Sequence, residues 1–298
     1  MVGQFNEVNN FLNSRREDIN TQVNTISGQI NSYAERIAKL NQEIQTSQGA
    51  SGHAPNDLLD QRDLEVAELN KLIDVKVLNQ GDQYTLTIGN GQLLVSGSST
   101  FKMSARPADD NPRNTTIYIQ VPGAAGSGYT EVPMSESTIK GGALGGLLSY
   151  RRDSLDGTQL QLGQLAAGLA LAINQAQRQG VDMQGATGKP FFTLGQPDVI
   201  GHTSNTGQGI INATLNLDGA SALQAADYQI SYDGINYTVL RMPEKAQVHF
   251  GTDLDNAQID GMTVTMTGTP AAGDSWLLSP VRDAAGKLQM QLTGADQI

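Results

Sequence analysis

The 298-residue chain has no cysteine, which excludes disulfide bonds, thiolate chemistry and zinc sites with cysteine ligands. Histidine is limited to His53, His202 and His249, and none of them belongs to a metalloprotease signature. We interpret the three as surface or packing residues. Aromatic residues make up only 5% of the chain, whereas Gly, Asn, Gln, Ser and Thr are abundant. This composition is typical of a secreted or assembling structural protein.

Positive charge is also in short supply, because 19 Lys and Arg face 30 Asp and Glu, for a net charge of −11. A chain with this balance repels polyanions, so we expect no nucleic-acid partner. No apolar run reaches the roughly 18 residues that a transmembrane helix needs, and we expect no membrane insertion. The segment after Met1 has neither the basic nor the apolar region of a cleaved secretory signal.

The first fifty residues carry a heptad pattern that predicts one long helix over residues 5–46, about 60 Å in length. One heptad series is Phe5, Leu12, Ile19, Ile26, Tyr33 and Leu40, and the other is Asn9, Arg16, Val23, Ile30, Ile37 and Ile44. A seam this narrow requires another helix against it. We expect that partner to be a helix over 141–180, because its small residues would allow a close approach. They are Gly163, Ala166, Ala167, Gly168 and Ala170.

The segment from Asn56 to Asp63 combines dense charge with the apolar stripe of a second helix, predicted to end near Ile73. Asn56 is the expected N-cap, and Asp57 would lie near the positive end of the helix dipole. Asp57, Asp60 and Asp63 follow at three-residue steps and share one helix face. Such carboxylates act as acid and base only when they are sequestered with perturbed pKa values. We therefore expect binding or an interface rather than catalysis.

From Asp74 the hydrophobic period changes from that of a helix to two, which predicts β-strands. The strands of a first β region are expected at 75–77, 84–88, 93–95 and 117–121, with turns at 80–82 and 89–91. A second β region follows at 191–281. Its strongest signal is a hairpin with strands at 228–232 and 235–239 around Asp233-Gly234. Further strands are expected at 210–217, 246–250, 259–267 and 275–279.

These patterns together predict an α+β, multidomain protein. It would consist of an elongated helical bundle and two mainly antiparallel β domains, one of them inserted between the helices. The predicted domains are a discontinuous helical bundle (1–74 and 140–185), the inserted β domain (75–139), a second β domain (190–285) and the start of a truncated C-terminal segment (286–298).

Two loops have some features of ligand sites. The glycine cluster Gly141–Gly146 precedes a helix but lacks the Gly-Lys-Ser/Thr ending of a phosphate loop. We predict a sharp strand-to-helix turn with close packing. Asp253–Asn256 resembles the opening of a calcium loop but lacks the glycine and the glutamate that such a loop needs, which favours a turn. The sequence thus offers no catalytic, metal-binding or cofactor-binding residues, and no cofactor is expected.

Three stretches carry a family resemblance. The first is Asn56-Asp57-Leu58-Leu59-Asp60-Gln61-Arg62-Asp63, the second is Gly141-Gly142-x-Leu144-Gly145-Gly146-Leu147-Leu148-x-x-Arg151, and the third is Gly268-x-Pro270-Ala271-Ala272-Gly273-Asp274-Ser275-Trp276. In this order, over nearly the whole chain, they resemble the flagellar hook-associated protein 1 family.

The resemblance implies a non-enzymatic adaptor at the junction of the bacterial hook and filament. Such a protein is exported by the flagellar type III apparatus without a cleaved signal and is extracellular. The implied partners are other copies in a junction ring, the hook protein, the second junction protein and, for the full-length protein, an export chaperone. Family members have terminal helical segments beyond both ends of this chain. We therefore expect a core fragment that is monomeric on its own.

The candidate subunit contacts are charged residues that we expect to be exposed. They are Arg15, Arg16, Asp57, Asp60, Arg62, Asp63, Arg151, Arg152 and Asp153. One alternative is that these charges are solvated or pair within one subunit. Three further alternatives concern the whole protein: another flagellar axial protein (flagellin-like or the second junction protein), a secreted adhesin or antigen, and a hydrolase carried on a flagellar scaffold.

Overall fold

The computed structural model describes residues 1–51, 55–80, 83–123, 128–181 and 185–292. The helices in these ranges are α1 (Val2–Ser51), α2 (Asn56–Leu72), α3 (Gly142–Tyr150), α4 (Asp156–Gln179) and α5 (Ala284–Lys287). A π-helical turn, Arg151–Leu155, joins α3 to α4. His53, the turn residues 81–82 and the final residues 293–298, for all of which we made predictions, lie outside the described residues.

The strands fall into five antiparallel sheets within the described ranges. Those between α2 and α3 are β1 (Val75–Gln80), β2 (Gln83–Ile88), β3 (Gln92–Ser96), β4 (Ser99–Thr100), β5 (Met103–Pro107), β6 (Thr115–Pro122) and β7 (Tyr129–Pro133). Those after α4 are β8 (Phe192–Thr193), β9 (Asp198–Gly201), β10 (Ile210–Leu215), β11 (Tyr228–Tyr232), β12 (Tyr237–Arg241), β13 (Ala246–Gly251), β14 (Ala257–Ile259), β15 (Met262–Thr267), β16 (Ser275–Ser279) and β17 (Gln289–Met290).

The heptad pattern correctly predicts α1 and its buried face. Among the twelve seam positions, Phe5 and Tyr33 are half-buried and all the others are buried, including Asn9 and Arg16. The helix extends beyond the predicted range by a few residues at each end. At α2, the predicted cap is wrong: Asn56 is the first helical residue, and the carbonyl of Pro55 accepts the N–H of Leu58 and Leu59.

The chain divides into two compact units. The first unit comprises Met1–Arg15, Asp109–Asn111 and Leu155–Ile298, and the second comprises Arg16–Ala108 and Pro112–Ser154. The second unit contains a four-stranded sheet in the order β1-β2-β3-β4 and a three-stranded sheet in the order β5-β6-β7. Both sheets follow α2 and precede α3 in sequence, so the α+β fold with antiparallel strands inserted between helices is confirmed. The predicted turn at 89–91 joins β2 to β3.

In the first unit, the five-stranded sheet β13-β12-β11-β16-β9 and the three-stranded sheet β10-β15-β14 share one apolar core. Ile230 and Trp276 contribute to it from the larger sheet, and Val264 contributes from the smaller one. The predicted hairpin of β11 and β12 is confirmed. The single strand predicted at 259–267 is wrong. Asp260 and Gly261 both have positive φ and form a turn between β14 and β15.

Glycines shape the entry to α3 and one face of α4. At Gly142, φ is +60° and an added Cβ would lie 2.4 Å from the backbone of Leu72, which confirms the predicted sharp turn with close packing. The small residues of α4 do allow another segment to approach closely. At Gly163, however, that segment is not α1. A Cβ there would lie 1.7 Å from the carbonyl oxygen of Val281, so α4 receives the segment before α5 at that point.

No helix in the described ranges is both long and apolar enough to cross a membrane.

Candidate functional site: polar contacts that fix strands to α1

Three asparagines of α1 hold backbone groups of the inserted strands in the second unit. Asn20, Asn31 and Asn41 are spaced by eleven and ten residues, close to three helical turns, so they lie on one side of α1. Each side-chain amide both donates to and accepts from main-chain groups, as a neighbouring strand would. Asn31 is the simplest case: its Nδ2 donates to Met103 O at 2.7 Å, and its Oδ1 accepts Met103 N at 2.8 Å.

Asn41 makes the most contacts of the three and is fully buried. Its Nδ2 donates to Tyr84 O at 2.9 Å and to Gly97 O at 2.8 Å. Its Oδ1 accepts Tyr84 N at 3.1 Å and Arg62 Nη1 at 3.0 Å. One side chain therefore joins α1, α2, β2 and the turn after β3.

Arg62 and Asp63 of α2 hold the ring of Tyr84. Arg62 is 3% exposed, and its guanidinium carbon lies 3.5 Å from the centre of the ring. The Tyr84 hydroxyl donates to Asp63 Oδ1 at 2.8 Å. Burial raises the pKa of this hydroxyl above its usual value of 10.0, and the bond to Asp63 raises it further. We call Asn41, Arg62, Asp63 and Tyr84 the Tyr84 cluster.

Arg151 forms a second cluster, at the π-helical turn after α3. It is completely buried. Its Nη2 donates to the carbonyl of Thr115 at 3.0 Å and to Glu136 Oε1 at 2.5 Å, while its Nη1 donates to Asn20 Oδ1 at 3.1 Å. The same Asn20 oxygen accepts Thr115 N at 2.9 Å. Arg151 therefore links α1, β6 and the short helical turn that contains Glu136.

Arg16 is the third buried arginine among the predicted contact residues. It is 4% exposed, and its Nη1 donates to Asn114 Oδ1 at 2.6 Å, just before β6. Like Arg62 and Arg151, Arg16 donates hydrogen bonds to other residues of the same chain. The expectation that all nine candidates are exposed is wrong for these three arginines.

The other candidates are exposed. Arg15 lies over the ring of Phe11 at 4.9 Å, and Arg152 pairs with Asp153 at 2.7 Å. The hydrogen bond to Asp153 raises the pKa of Arg152. Asp57 and Asp60 are exposed on α2, as is Asp63, which accepts the Tyr84 hydroxyl. The structure thus brings Arg62 and Asp63 together at the ring of Tyr84 and pairs Arg152 with Asp153.

The first unit has an ionic cluster that our sequence analysis missed. Arg282 is 4% exposed, and its Nη1 donates to Asp156 Oδ1 at 2.9 Å. Its Nε and Nη2 both donate to the same oxygen of Asp227, Oδ2. Burial lowers the pKa of Arg282, but the two carboxylates outweigh that effect and raise it overall. Gln159, beside this arginine, donates to Asn13 Oδ1 at 2.7 Å, which ties α4 to the first turns of α1.

The described residues contain no group of three or more His, Asp or Glu that could hold a metal ion. Asp253 Oδ1 accepts the N–H of Asp255, as in the predicted turn. His202 Nδ1 accepts the N–H of Ser204, and His249 Nε2 donates to Asp253 O. Both histidines serve local loop structure.

Replacing Asn41 with alanine is expected to lower the free energy of unfolding of the second unit by about 2 kcal/mol. The reason is that buried backbone groups of Tyr84 and Gly97 lose their partner. Asn24→Ala is the matched control on the same helix, because Asn24 is exposed and its side chain donates to the carbonyl of Asn20, one turn earlier. We expect a change within about 0.5 kcal/mol for it. Urea unfolding followed by circular dichroism measures both, and equal effects would contradict a special role for Asn41.

Taken together, the fold and these clusters define a multidomain α+β scaffold in which buried polar side chains fix antiparallel strands to a long helix. Comparisons with known proteins agree on its family. A family model described as "Flagellar hook-associated protein FlgK helical domain" matches residues 1–192, and one described as "Flagellar hook-associated protein 1, D2-like domain" matches residues 200–280. The chain belongs to the flagellar hook-associated protein FlgK family.

Individual relatives give the same result. The chain is 38% identical to flagellar hook-associated protein 1 of Escherichia coli K12 over 301 residues, which cover all of this chain and 54% of the relative. It is 37% identical to the protein of that name from Salmonella typhimurium, with 53% of the relative covered. The solved flagellar hook junction protein FlgK from Burkholderia pseudomallei has a TM-score of 0.89 at 31% identity, over all of this chain and 53% of that one. The chain thus spans about half the length of these relatives.

Proposed function

We propose that the chain is part of a structural protein of the bacterial flagellum, an adaptor at the junction of hook and filament. Membership of the FlgK family is the observation that carries this proposal. The buried polar clusters support it, because an adaptor between two mechanically different neighbours must keep its sheets fixed on its helices. We infer that the protein has no enzymatic activity, is exported by the type III route without a cleaved signal, and is extracellular.

The proposed partners are other copies of the protein in a junction ring, the hook protein, the second junction protein and, for the whole protein, an export chaperone. For the contacts we propose the candidates that the structure leaves exposed: Arg15, Asp57, Asp60, Asp63, Arg152 and Asp153. Asp57 and Asp60 are the best placed for a contact, because they lie one turn from each other on α2 and are both exposed, so a single partner surface could meet both. The 298-residue chain alone is expected to be monomeric in sedimentation.

A chimera tests the function. In an Escherichia coli strain that lacks its own hook-associated protein 1, this chain would replace the matching region of the full-length relative. We expect restored filament attachment and swimming in soft agar. Normal export of the chimera without attached filaments would contradict the proposal.

Charge reversal in the same chimera tests the contact candidates. The double variant Asp57→Lys with Asp60→Lys is expected to reduce swimming at least several-fold while export stays normal. The control is Glu244→Lys with Asp255→Lys, which reverses two exposed acids outside α2 and should swim like the parent chimera. If both double variants swim equally well, Asp57 and Asp60 make no essential subunit contact.

A further inference from the structure

The edge strand β1 exposes two large apolar side chains. It is a terminal strand of the four-stranded sheet, and within the described residues β2 is the one strand that pairs with it. Val77 is 39% exposed and Leu78 is 51% exposed. Soluble proteins protect such edges with prolines, bulges or several charges, because free edges pair with other chains. β1 contains only Lys76 as a charge, and it pairs with β2 in unbroken register.

A groove of about 440 Å³ runs between β1 and α2 in the second unit. It is lined by Asp63, Val66, Ala67 and Asn70 from α2, by Val75, Val77 and Asn79 from β1, and by Tyr84. Asn70 Oδ1 accepts the N–H of Val75 at 3.1 Å, which ties helix to strand where β1 begins. A helix beside a free strand edge is the geometry in which extended peptides bind by strand addition.

The groove has a definite charge. Because side chains alternate along a strand, Val75, Val77 and Asn79 face the groove, while Lys76 lines a separate polar pocket. Among the described residues that line the groove, Asp63 is the one charged side chain. Asp60 is exposed one turn earlier on α2. A ligand that matches this surface has apolar side chains and basic ones.

We propose that this groove binds an extended segment of another protein, which adds to β1 as a strand and carries alternating apolar and basic side chains. Main-chain hydrogen bonds to the free edge of β1 provide affinity. Apolar side chains contact Val66 and Val77, and a basic side chain pairs with Asp63. This goes beyond the proposed adaptor function and does not depend on it.

The same charges argue against a second copy of this chain as the occupant. Two copies paired through β1 would form a two-fold symmetric contact in which each strand faces the other groove. The groove-facing residues of β1 are Val75, Val77 and Asn79, which offer no cation to Asp63. A strand from a different, basic segment provides a cation that can pair with Asp63.

A peptide titration of the 298-residue chain tests the proposal in solution, without flagella, so its result is separate from that of the swimming assay. The probe is a fluorescein-labelled peptide of sequence Lys-Val-Lys-Val-Thr-Val-Lys, and binding is read as fluorescence anisotropy. We expect saturable binding that weakens with salt, because charge pairing contributes to it. The peptide Glu-Val-Glu-Val-Thr-Val-Glu should bind at least about tenfold more weakly.

Variants of the chain locate the site. Val77→Lys, which faces the groove, is expected to weaken binding of the basic peptide at least about tenfold. Leu78→Lys is the control on the same strand, because residue 78 faces away from the groove, and it should change affinity less than about threefold. Asp63→Asn keeps an oxygen that can accept the Tyr84 hydroxyl but removes the charge. It should weaken binding about threefold and reduce the salt dependence.

Three results would overturn the proposal. One is the absence of saturable binding up to about 1 mM peptide, which corresponds to a negligible affinity. Another is equal affinity of the Val77→Lys and Leu78→Lys variants, when circular dichroism shows both folded. The third is self-association of the unmodified chain that Val77→Lys abolishes, which would assign the groove to a second copy instead.

Discussion

Replacing Arg151 with methionine is expected to lower the free energy of unfolding of the second unit by about 3 kcal/mol. Methionine keeps most of the side-chain volume but removes the guanidinium. Asn20, the carbonyl of Thr115 and Glu136 would then lose a shared donor in a site where Arg151 is completely buried. A buried group left without its partner costs far more than a solvated pair gains.

The next residue provides the control for this experiment. Arg152 is 44% exposed in its side chain and pairs with Asp153 at the surface. Arg152→Met should therefore change the free energy of unfolding by less than about 0.5 kcal/mol. The chain has a single tryptophan, Trp276, and it lies in the first unit. We expect Arg151→Met to shift the unfolding transition seen by circular dichroism and to leave that of Trp276 fluorescence unchanged. A similar shift for both arginine variants would contradict this account.

Gly163→Ala is expected to destabilise the first unit by about 3 kcal/mol or more, because a well-packed site cannot take an added methyl group without displacing backbone. The new Cβ would lie 1.7 Å from Val281 O and 2.7 Å from the carbonyl carbon of that residue. Neither atom belongs to a flexible side chain. Trp276 fluorescence in a urea titration reports this unit directly.

Gly168 on the same helix offers a control with the opposite sign. A Cβ at Gly168 meets nothing within 4 Å. Gly168→Ala should stabilise the unit by about 0.5–1 kcal/mol, because alanine has the higher helix propensity. Destabilisation by both variants would show that α4 tolerates no side chain at either glycine, and that close contact with Val281 is not the cause.

Local sequence patterns predicted a large part of the fold. The long helix α1 and the hairpin around Asp233-Gly234 depend on local sequence pattern and appear as expected. The helix predicted over 141–180 is instead divided into α3 and α4 by the π-helical turn Arg151–Leu155. The prediction of a single strand over 259–267 was wrong. Asp260-Gly261 is itself a turn signal, but the alternation of apolar residues on both sides of it suggested one continuous strand. The domain boundaries that we drew from the sequence stay a prediction.

The buried arginines show where our sequence analysis stopped short. Arg16 occupies a position in a seam series of α1, and Arg151 lies seven residues after the buried Leu144. Arg62 lies four residues after Leu58 and four before Val66, in the middle of an apolar stripe. An arginine at such a position is a signal for burial that charge counting overlooks.

The partners of these arginines could not be predicted in the same way. Asn20, Asn114 and Glu136 are distant in sequence from the arginines that they bind, and no local pattern connects them. The same holds for Val281 opposite Gly163. Periodicity identifies which face of a helix is small or apolar, but the contacting segment is decided by the tertiary fold.

The asparagine contacts make the length of α1 a constraint on the sheets. Asn20, Asn31 and Asn41 each bind a fixed point on a different strand or strand end, and one residue turns a helix by about 100°. A single insertion or deletion between Asn20 and Asn41 would rotate one anchor away from its strand while the others stayed in place. The spacing of these residues along α1 therefore fixes the spacing of the inserted strands. Insertions and deletions among relatives should be confined to the loops.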